Sequence, residues 1–337
     1  MANESEKTIQ EMPKVILHIH LDGSLRPKTV YKWLKEKGEE ITLNEVKEKL
    51  MADKNCRDLN QYLEKFTLPV EFLQTEEHIE QAMFELFEDL SFQNVIYAEV
   101  RFAPSLHTKC GLSYSQIVES AIRGMNSAKS KYDIEGNLIL CCMRGKENKK
   151  ENFETLEIAR KYLDKGVCAL DLAGAEAIFA TEEFEELFSK AKELKIPFTI
   201  HAGEAAGAES IRKAIEFGTL RIGHGVRCLE DASLVQEIIQ KGIVLEVCPI
   251  SNLQTKAVTE PHPIDKLYMA GVKTTINTDN NTVSNTSLLH EYRYVLENTD
   301  LTVEDIKKMN IIAVEASFIS EMKKCKLVKK FESLFLK

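Results

Sequence analysis

Short apolar runs recur along the chain at Val15–Ile19, Val95–Arg101, Leu138–Cys142, Cys168–Leu172, Phe198–His201, Arg221–Gly223, Val244–Val247 and Thr274–Asn277. Each is bounded by polar or glycine-containing segments and predicts a buried strand. Between them, apolar residues fall at helical spacing in Glu76–Glu88, Tyr114–Lys131, Phe153–Asp164, Thr181–Leu194, Glu209–Glu216 and Asp231–Lys241. These predict amphipathic helices. Strands alternating with helices imply a parallel sheet joined by helical crossovers. The apolar pattern alone suits a closed barrel and an open doubly wound sheet equally well, so the polar residues must decide.

The longest interval between strands, Leu21 to Asn94, has room for several helices, predicted at Lys28–Lys37, Leu43–Met51 and Leu59–Phe66. Leu59, Tyr62, Leu63 and Phe66 share one helical stripe, which suits either a core-facing helix or a hydrophobic lid. No linker, low-complexity tract or fixed-period repeat interrupts the chain, which argues against solenoids and propellers.

A length of 337 residues fits one barrel with insertions, so residues 1–337 are expected to form a single domain. Hydrophobic residues at 44% and charged residues at 29% suit a globular protein with a substantial core. The net charge of -9 is spread along the chain without a basic stretch, which disfavours nucleic acid as a partner. Met1–Met12 is polar and acidic with no apolar run, and no later segment resembles a membrane span. A cytoplasmic protein is expected. Its eight cysteines are scattered and form no Cys-x-x-Cys pair, which predicts reduced, mostly buried thiols and excludes a thiolate zinc site.

His18-Ile19-His20 ends the first predicted strand, and a period of two puts both imidazoles on one face. His201, His224 and Asp279 also follow apolar runs. The carboxyl ends of the strands in a parallel barrel open onto one mouth, where ligands distant in sequence converge; in an open sheet the first and last strands would not meet. The polar residues therefore favour a (β/α)₈ barrel. Three imidazoles and a carboxylate suit zinc, with iron or cobalt also compatible, and such a site reads as a metal-assisted hydrolase. Glu204, three residues after His201, is a candidate general acid or base, or else a carboxylate at a helix N-terminus. Gly174, Gly203, Gly223 and Gly225 border strand ends, where backbone can approach a ligand or simply turn. Arg101 and Asp171 are expected to be paired structural charges.

Six motifs in order, Leu17–Ser24 (LHIHLDGS), Glu99–Pro104 (EVRFAP), Asp171–Glu176 (DLAGAE), His201–Glu204 (HAGE), Arg221–Gly225 (RIGHG) and Asn277–Asn280 (NTDN), resemble the adenosine deaminase family of amidohydrolase-type barrels. The resemblance runs from about Lys14 to Asn285. It implies that His18, His20, His201 and Asp279 bind one zinc ion whose water attacks C6 of adenosine, giving inosine and ammonia. It further implies that Glu204 protonates N1. His224 would orient and deprotonate the water or stabilise the hydroxide. The Gly174 N–H would meet N3, Asp22 would accept from the ribose hydroxyls, and His20 would also lie against the substrate. An acidic Asp22 would repel a 5′-phosphate and so favours a nucleoside over a nucleotide. The stripe from Leu59 to Phe66 is similar to the hydrophobic gate helix of these enzymes. Where many relatives carry a second Asp that contacts N7, this chain has Asn280, a form that part of the family shares. The competing readings are a sister deaminase acting on adenine, a modified adenosine or a nucleotide, and a non-enzymatic nucleoside-binding protein. The intact set of chemical residues argues against the last.

Overall fold

All eight expected strands form: β1 (Lys14–His20), β2 (Val95–Phe102), β3 (Glu135–Met143), β4 (Val167–Ala173), β5 (Ile200–Ala202), β6 (Arg221–His224), β7 (Val244–Val247) and β8 (Lys273–Ile276). The computed structural model describes residues 2–53 and 55–335. β3 begins before its apolar run because Glu135, Gly136 and Asn137 pair with Tyr97, Ala98 and Glu99 of β2. β5 begins later than expected, at Ile200. Leu172 N donates to Asp171 Oδ1 at 2.7 Å, so the pairing with β4 stops at one isolated bridge between Leu170 and Phe198.

The strands are parallel in the orders β1-β2-β3-β4 and β5-β6-β7-β8. Two seams join these sets. Leu170 N donates to Pro197 O at 2.9 Å and Thr199 N to Leu170 O at 3.0 Å, linking β4 to β5. His20 N donates to Asp279 O at 2.7 Å and Asp279 N to His18 O at 3.1 Å, so the last strand returns to the first. The ring is thereby closed, and the carboxyl ends of all eight strands face one mouth.

Between β1 and β2 lie helices Pro27–Glu36, Leu43–Leu50, Leu59–Leu63, Thr67–Phe72 and Glu76–Ser91. The expected helix Leu59–Phe66 is one α-helical turn, capped by the Asp58 carboxylate on Gln61 N, that tightens into a 3₁₀ turn at Glu64–Phe66. The expected helix Thr181–Leu194 likewise starts as a 3₁₀ turn, Thr181–Phe184, before Glu185–Glu193.

The amino-terminal segment, which shows no apolar run, forms a helix over Ala2–Glu11. Ile9 and Met12 are buried, and Arg293 Nε donates to Glu6 Oε1 at 2.7 Å, so two apolar anchors and one ion pair fasten an otherwise polar helix. After β8 come helices Leu288–Asn298, Val303–Ala316 and Glu321–Phe335. Leu327 and Phe331 of the last pack with Val15, Leu17, Ile96 and Tyr97, covering the start of β1 and β2. The tail therefore supplies core; Leu336 and Lys337 lie outside the described residues. All eight cysteines are free, with Cys110 and Cys325 exposed and the other six buried. No helix among the described residues is long and apolar enough to cross a membrane.

Candidate active site

β1 carries His18 and His20 on its inner face while Ile19 is buried on the other side. His18 Nδ1 lies 2.8 Å from Glu246 Oε2, and its Nε2 lies 3.3 Å from Asp279 Oδ1. His20 Nε2 approaches His201 Nε2 at 3.2 Å and Asp279 Oδ1 at 3.4 Å. His201 Nδ1 lies 2.9 Å from Asp171 Oδ2. The imidazoles thus crowd around one carboxylate oxygen. Gly223 makes the crowding possible, because a Cβ there would stand 3.0 Å from the His18 ring. β6 ends, and the segment after β8 turns, in left-handed backbone at His224 (φ +61°) and Asp279 (φ +59°), a conformation that costs a non-glycine residue about 1 kcal/mol or more.

His18, His201, His224 and Asp279 each offer a ligand atom within 4.8 Å of the others. This group contains His224 where the sequence reading has His20, and protonation geometry separates the two. A carboxylate beside Nδ1 of His18, and likewise of His201, favours the proton on that nitrogen and leaves the Nε2 lone pair free for a metal. At His224 the order is reversed. The Asn252 amide donates to Nδ1 at 2.9 Å, so a neutral His224 carries its proton on Nε2. The amide orientation is set by Cys248 N, an obligate donor 3.4 Å from Asn252 Oδ1. His224 is therefore built to donate into the site. Meanwhile His18 Nε2 is buried without a hydrogen-bond partner among the described residues, a costly arrangement that a metal ion would relieve. The residues present fit a metal.

Beneath the histidines lies a buried charged floor. Arg101 Nη1 donates to Asp171 Oδ2 (2.9 Å) and Nη2 to Glu246 Oε2 (2.7 Å). Arg221 Nε donates to Glu246 Oε1 (2.7 Å) and Nη1 to Glu99 Oε2 (2.5 Å). Burial opposes ionisation of Asp171 and Glu246, yet their neighbours outweigh it and hold both below their ordinary values: the His201 imidazole and the Arg101 guanidinium for Asp171, Arg101 and Arg221 for Glu246. The pairing expected of Arg101 and Asp171 is present, and it extends to Glu99, Arg221 and Glu246.

Above the histidines opens a cavity of about 460 Å³, within the range usual for small-molecule sites. His20, Asp22, Gly174, His201, Glu204, His224, Asp279 and Asn280 line it, and Leu59, Tyr62, Leu63 and Phe66 contribute an apolar wall. His18 sits behind, fully buried. Glu204 Oε1 accepts from Thr255 Oγ1 at 3.0 Å, and its Oε2 lies 3.4 Å from His224 Nε2. Burial, then the neighbouring carboxylates Asp279 and Glu176, push Glu204 well above the ordinary carboxylate range. Burial also raises Asp22 to about 7, and its Oδ1 has no partner among the described residues. Asn280 Nδ2 donates to Tyr62 Oη at 3.0 Å. Sequence reasoning assigned no role to Glu246, Asn252, Thr255 or Ser251, whose Oγ donates to Asp279 Oδ2 at 2.6 Å. A charge inside the apolar run Val244–Val247 was the available signal for Glu246; the segment after β7 offered none.

A closed parallel barrel with imidazoles and a carboxylate gathered at its mouth defines a metal-dependent hydrolase type of enzyme. The family model described as adenosine deaminase matches residues 13–334, and the chain belongs to that family. It is 42% identical over 313 residues to the adenosine deaminase of Haemophilus ducreyi, covering 90% of this chain and 91% of that one. It is 42% identical over 322 residues to that of Clostridium perfringens, covering 94% and 97%. The apo structure of the N6-methyl-AMP deaminase from Arabidopsis thaliana superposes with a TM-score of 0.85 at 27% identity, over 97% of this chain and 98% of that one.

Proposed function

We propose that this protein deaminates adenosine, and with it 2′-deoxyadenosine, hydrolytically to inosine and ammonia, serving purine salvage in the cytoplasm as one domain spanning residues 1–337. The observation that carries the reading is the raised, buried Glu204 facing the same cavity as His20, His201 and Asp279. Hydrolytic loss of ammonia from a purine requires a proton delivered to the ring and a nucleophile at C6, and this juxtaposition offers a place for both.

His18, His20, His201 and Asp279 would hold zinc, for which neutral imidazole nitrogens and one carboxylate are suited donors. When bound, the zinc supplies, as a Lewis acid, a water nucleophilic at neutral pH. Glu204, protonated through burial, donates to N1 and makes C6 electrophilic. His224 presents its Nε2 proton toward the site, so it orients the nucleophile as a donor. The Gly174 N–H meets N3. Asp22 Oδ1, buried and without a partner among the described residues, accepts from the ribose hydroxyls. Asn280 spends one amide proton on Tyr62 and has the second for N7. Leu59, Leu63 and Phe66 shield the purine from water.

A nucleotide substrate is the second reading. The Arabidopsis likeness and the presence of Lys109 on the cavity wall favour it. Asp22 opposes it, since a carboxylate repels a 5′-phosphate. Ammonia release from adenosine, 5′-deoxyadenosine, adenine and AMP in one assay separates these outcomes. Strong preference for adenosine is expected; equal use of AMP would overturn the nucleoside reading.

A further inference from the structure

Glu176 lies on the segment after β4, two residues beyond Gly174, and reaches across to the segment after β5. Its carboxylate accepts from four successive backbone N–H groups: Gly203 at 2.7 Å, Glu204 at 3.0 Å, Ala205 at 2.7 Å and Ala206 at 2.9 Å. Ser210 Oγ adds a fifth donor at 2.5 Å. The side chain is buried. Gly203, at φ +74°, turns the backbone so that these N–H groups converge, a concavity of the kind that ordinarily captures an anion. Here the chain fills it with its own carboxylate. An amide has one oxygen and would turn its NH₂ onto donors, so no neutral residue of this size substitutes.

The brace continues beyond Glu176. Ser210 Oγ lies 2.7 Å from Thr181 Oγ1, Arg144 Nη2 donates to Thr181 Oγ1 at 2.9 Å, and the same nitrogen donates to His201 O at 2.7 Å. Gly174 and Glu204 are the two points proposed to meet N3 and N1, which flank C2 of the six-membered ring. One side chain therefore ties together the two loops that would grip that ring. We propose that Glu176 is a positioning residue: it sets the spacing between Gly174 N–H and the Glu204 carboxyl, so that the purine ring is held with N1 against its proton donor. The inference rests on the reading of Glu204 as the N1 acid.

The test is a double-mutant cycle with Glu176→Gln, Glu204→Gln and the pair, measuring steady-state kcat and KM with adenosine, the single-turnover rate at excess enzyme, and metal content. Glu176→Gln should lower kcat by about 10²-fold, part of what general acid catalysis supplies, with metal content unchanged. In the Glu204→Gln background the same change should cost less than about threefold, because the group it positions has already lost its function. An equal loss in both backgrounds would make Glu176 a structural brace only and overturn the proposal. So would a Glu176→Gln enzyme with unaltered kcat. Near-normal turnover in Glu204→Gln alone would instead remove the underlying reading. If Glu176→Gln does not fold, Ser210→Ala takes its place. It removes one of the five donors and should lower kcat about three- to tenfold in the wild-type background, the worth of one hydrogen bond, and leave Glu204→Gln unaffected. No loss in wild type, or the same loss in both, overturns the proposal.

Discussion

The floor of the barrel and the cavity above it are both buried and both rich in ionisable groups, yet they treat them oppositely. In the floor, Arg101 and Arg221 are each bonded to two of the carboxylates Glu99, Asp171 and Glu246, whose oxygens all have partners, although Arg101 Nε has none among the described residues. In the cavity, Asp22 Oδ1, Asn280 Oδ1 and His224 Nε2 are left without hydrogen-bond partners among the described residues. A buried polar group without a partner costs about 1–3 kcal/mol, so a fold keeps several in one place only where something from outside completes them. Charge satisfied within the chain marks support, and charge left open marks chemistry. Arg144 blurs the boundary: its main bonds are made to Phe179 O, Thr181 Oγ1 and His201 O, and it still borders the cavity.

The contrast is broken or sharpened by substitutions on each side of it. The largest effect is expected in the cavity: Glu204→Gln should lose about 10²–10⁴ in kcat, the usual worth of general acid–base catalysis, while retaining metal and thermal stability. Steady-state kinetics beside a melting curve checks this, and an unstable but active variant would place Glu204 with the floor. Next, Arg221→Met leaves Glu99 buried without its cationic partner and Glu246 with only Arg101 of its two, and should cost about 3–5 kcal/mol of stability, read from the denaturant midpoint.

Asn280→Ala should cost roughly 1–3 kcal/mol of transition-state binding, if the amide meets N7. Wild type should prefer adenosine to 7-deazaadenosine, which lacks that acceptor, and Asn280→Ala should lose that preference; if wild type uses both equally fast, Asn280 does not read N7. The smallest effect concerns pH. Asp22, raised to about 7 in the fold, takes up a proton on folding, so its penalty on stability grows as pH rises from its ordinary value through 7. Asp22→Asn should therefore gain stability relative to wild type, more at pH 8 than at pH 5, and should narrow the preference for adenosine over AMP. The floor responds with opposite sign. Asp171 and Glu246 are held below their ordinary values, so their contribution is present at neutral pH and is lost as pH falls through the acid range.

The two regions were unequally legible in the sequence. Cavity residues such as His20, His201, His224 and Asp279 stand at the ends of apolar runs, where a polar side chain has no local reason to be. The convergence of those ends follows from the parallel topology. The floor residues Glu99 and Glu246 lie inside apolar runs, and their partners come from other strands, so pairing is fixed only once the ring closes. Closure itself depends on backbone hydrogen bonds such as His20 N to Asp279 O, which no side-chain pattern encodes. The loop groups that tune the site, Asn252 on His224 and Thr255 on Glu204, come from the segment after β7, which has neither periodicity nor a charge to draw attention. Glu176 closes a motif by which the family resemblance was recognised, yet its partners are backbone N–H groups, and any sequence would supply those. The helix Ala2–Glu11 was missed because two buried residues suffice to dock it.

The central claim is that the open polar groups of the cavity, with a metal held by the histidines and Asp279, act on adenosine. The most direct test adds the purified protein to adenosine, follows the change in purine ultraviolet absorbance, and measures metal in the same sample. The account predicts conversion to inosine with release of ammonia and about one zinc per chain, both abolished by His201→Ala. A fully active preparation without metal, or a zinc-loaded protein inert toward adenosine, would contradict it.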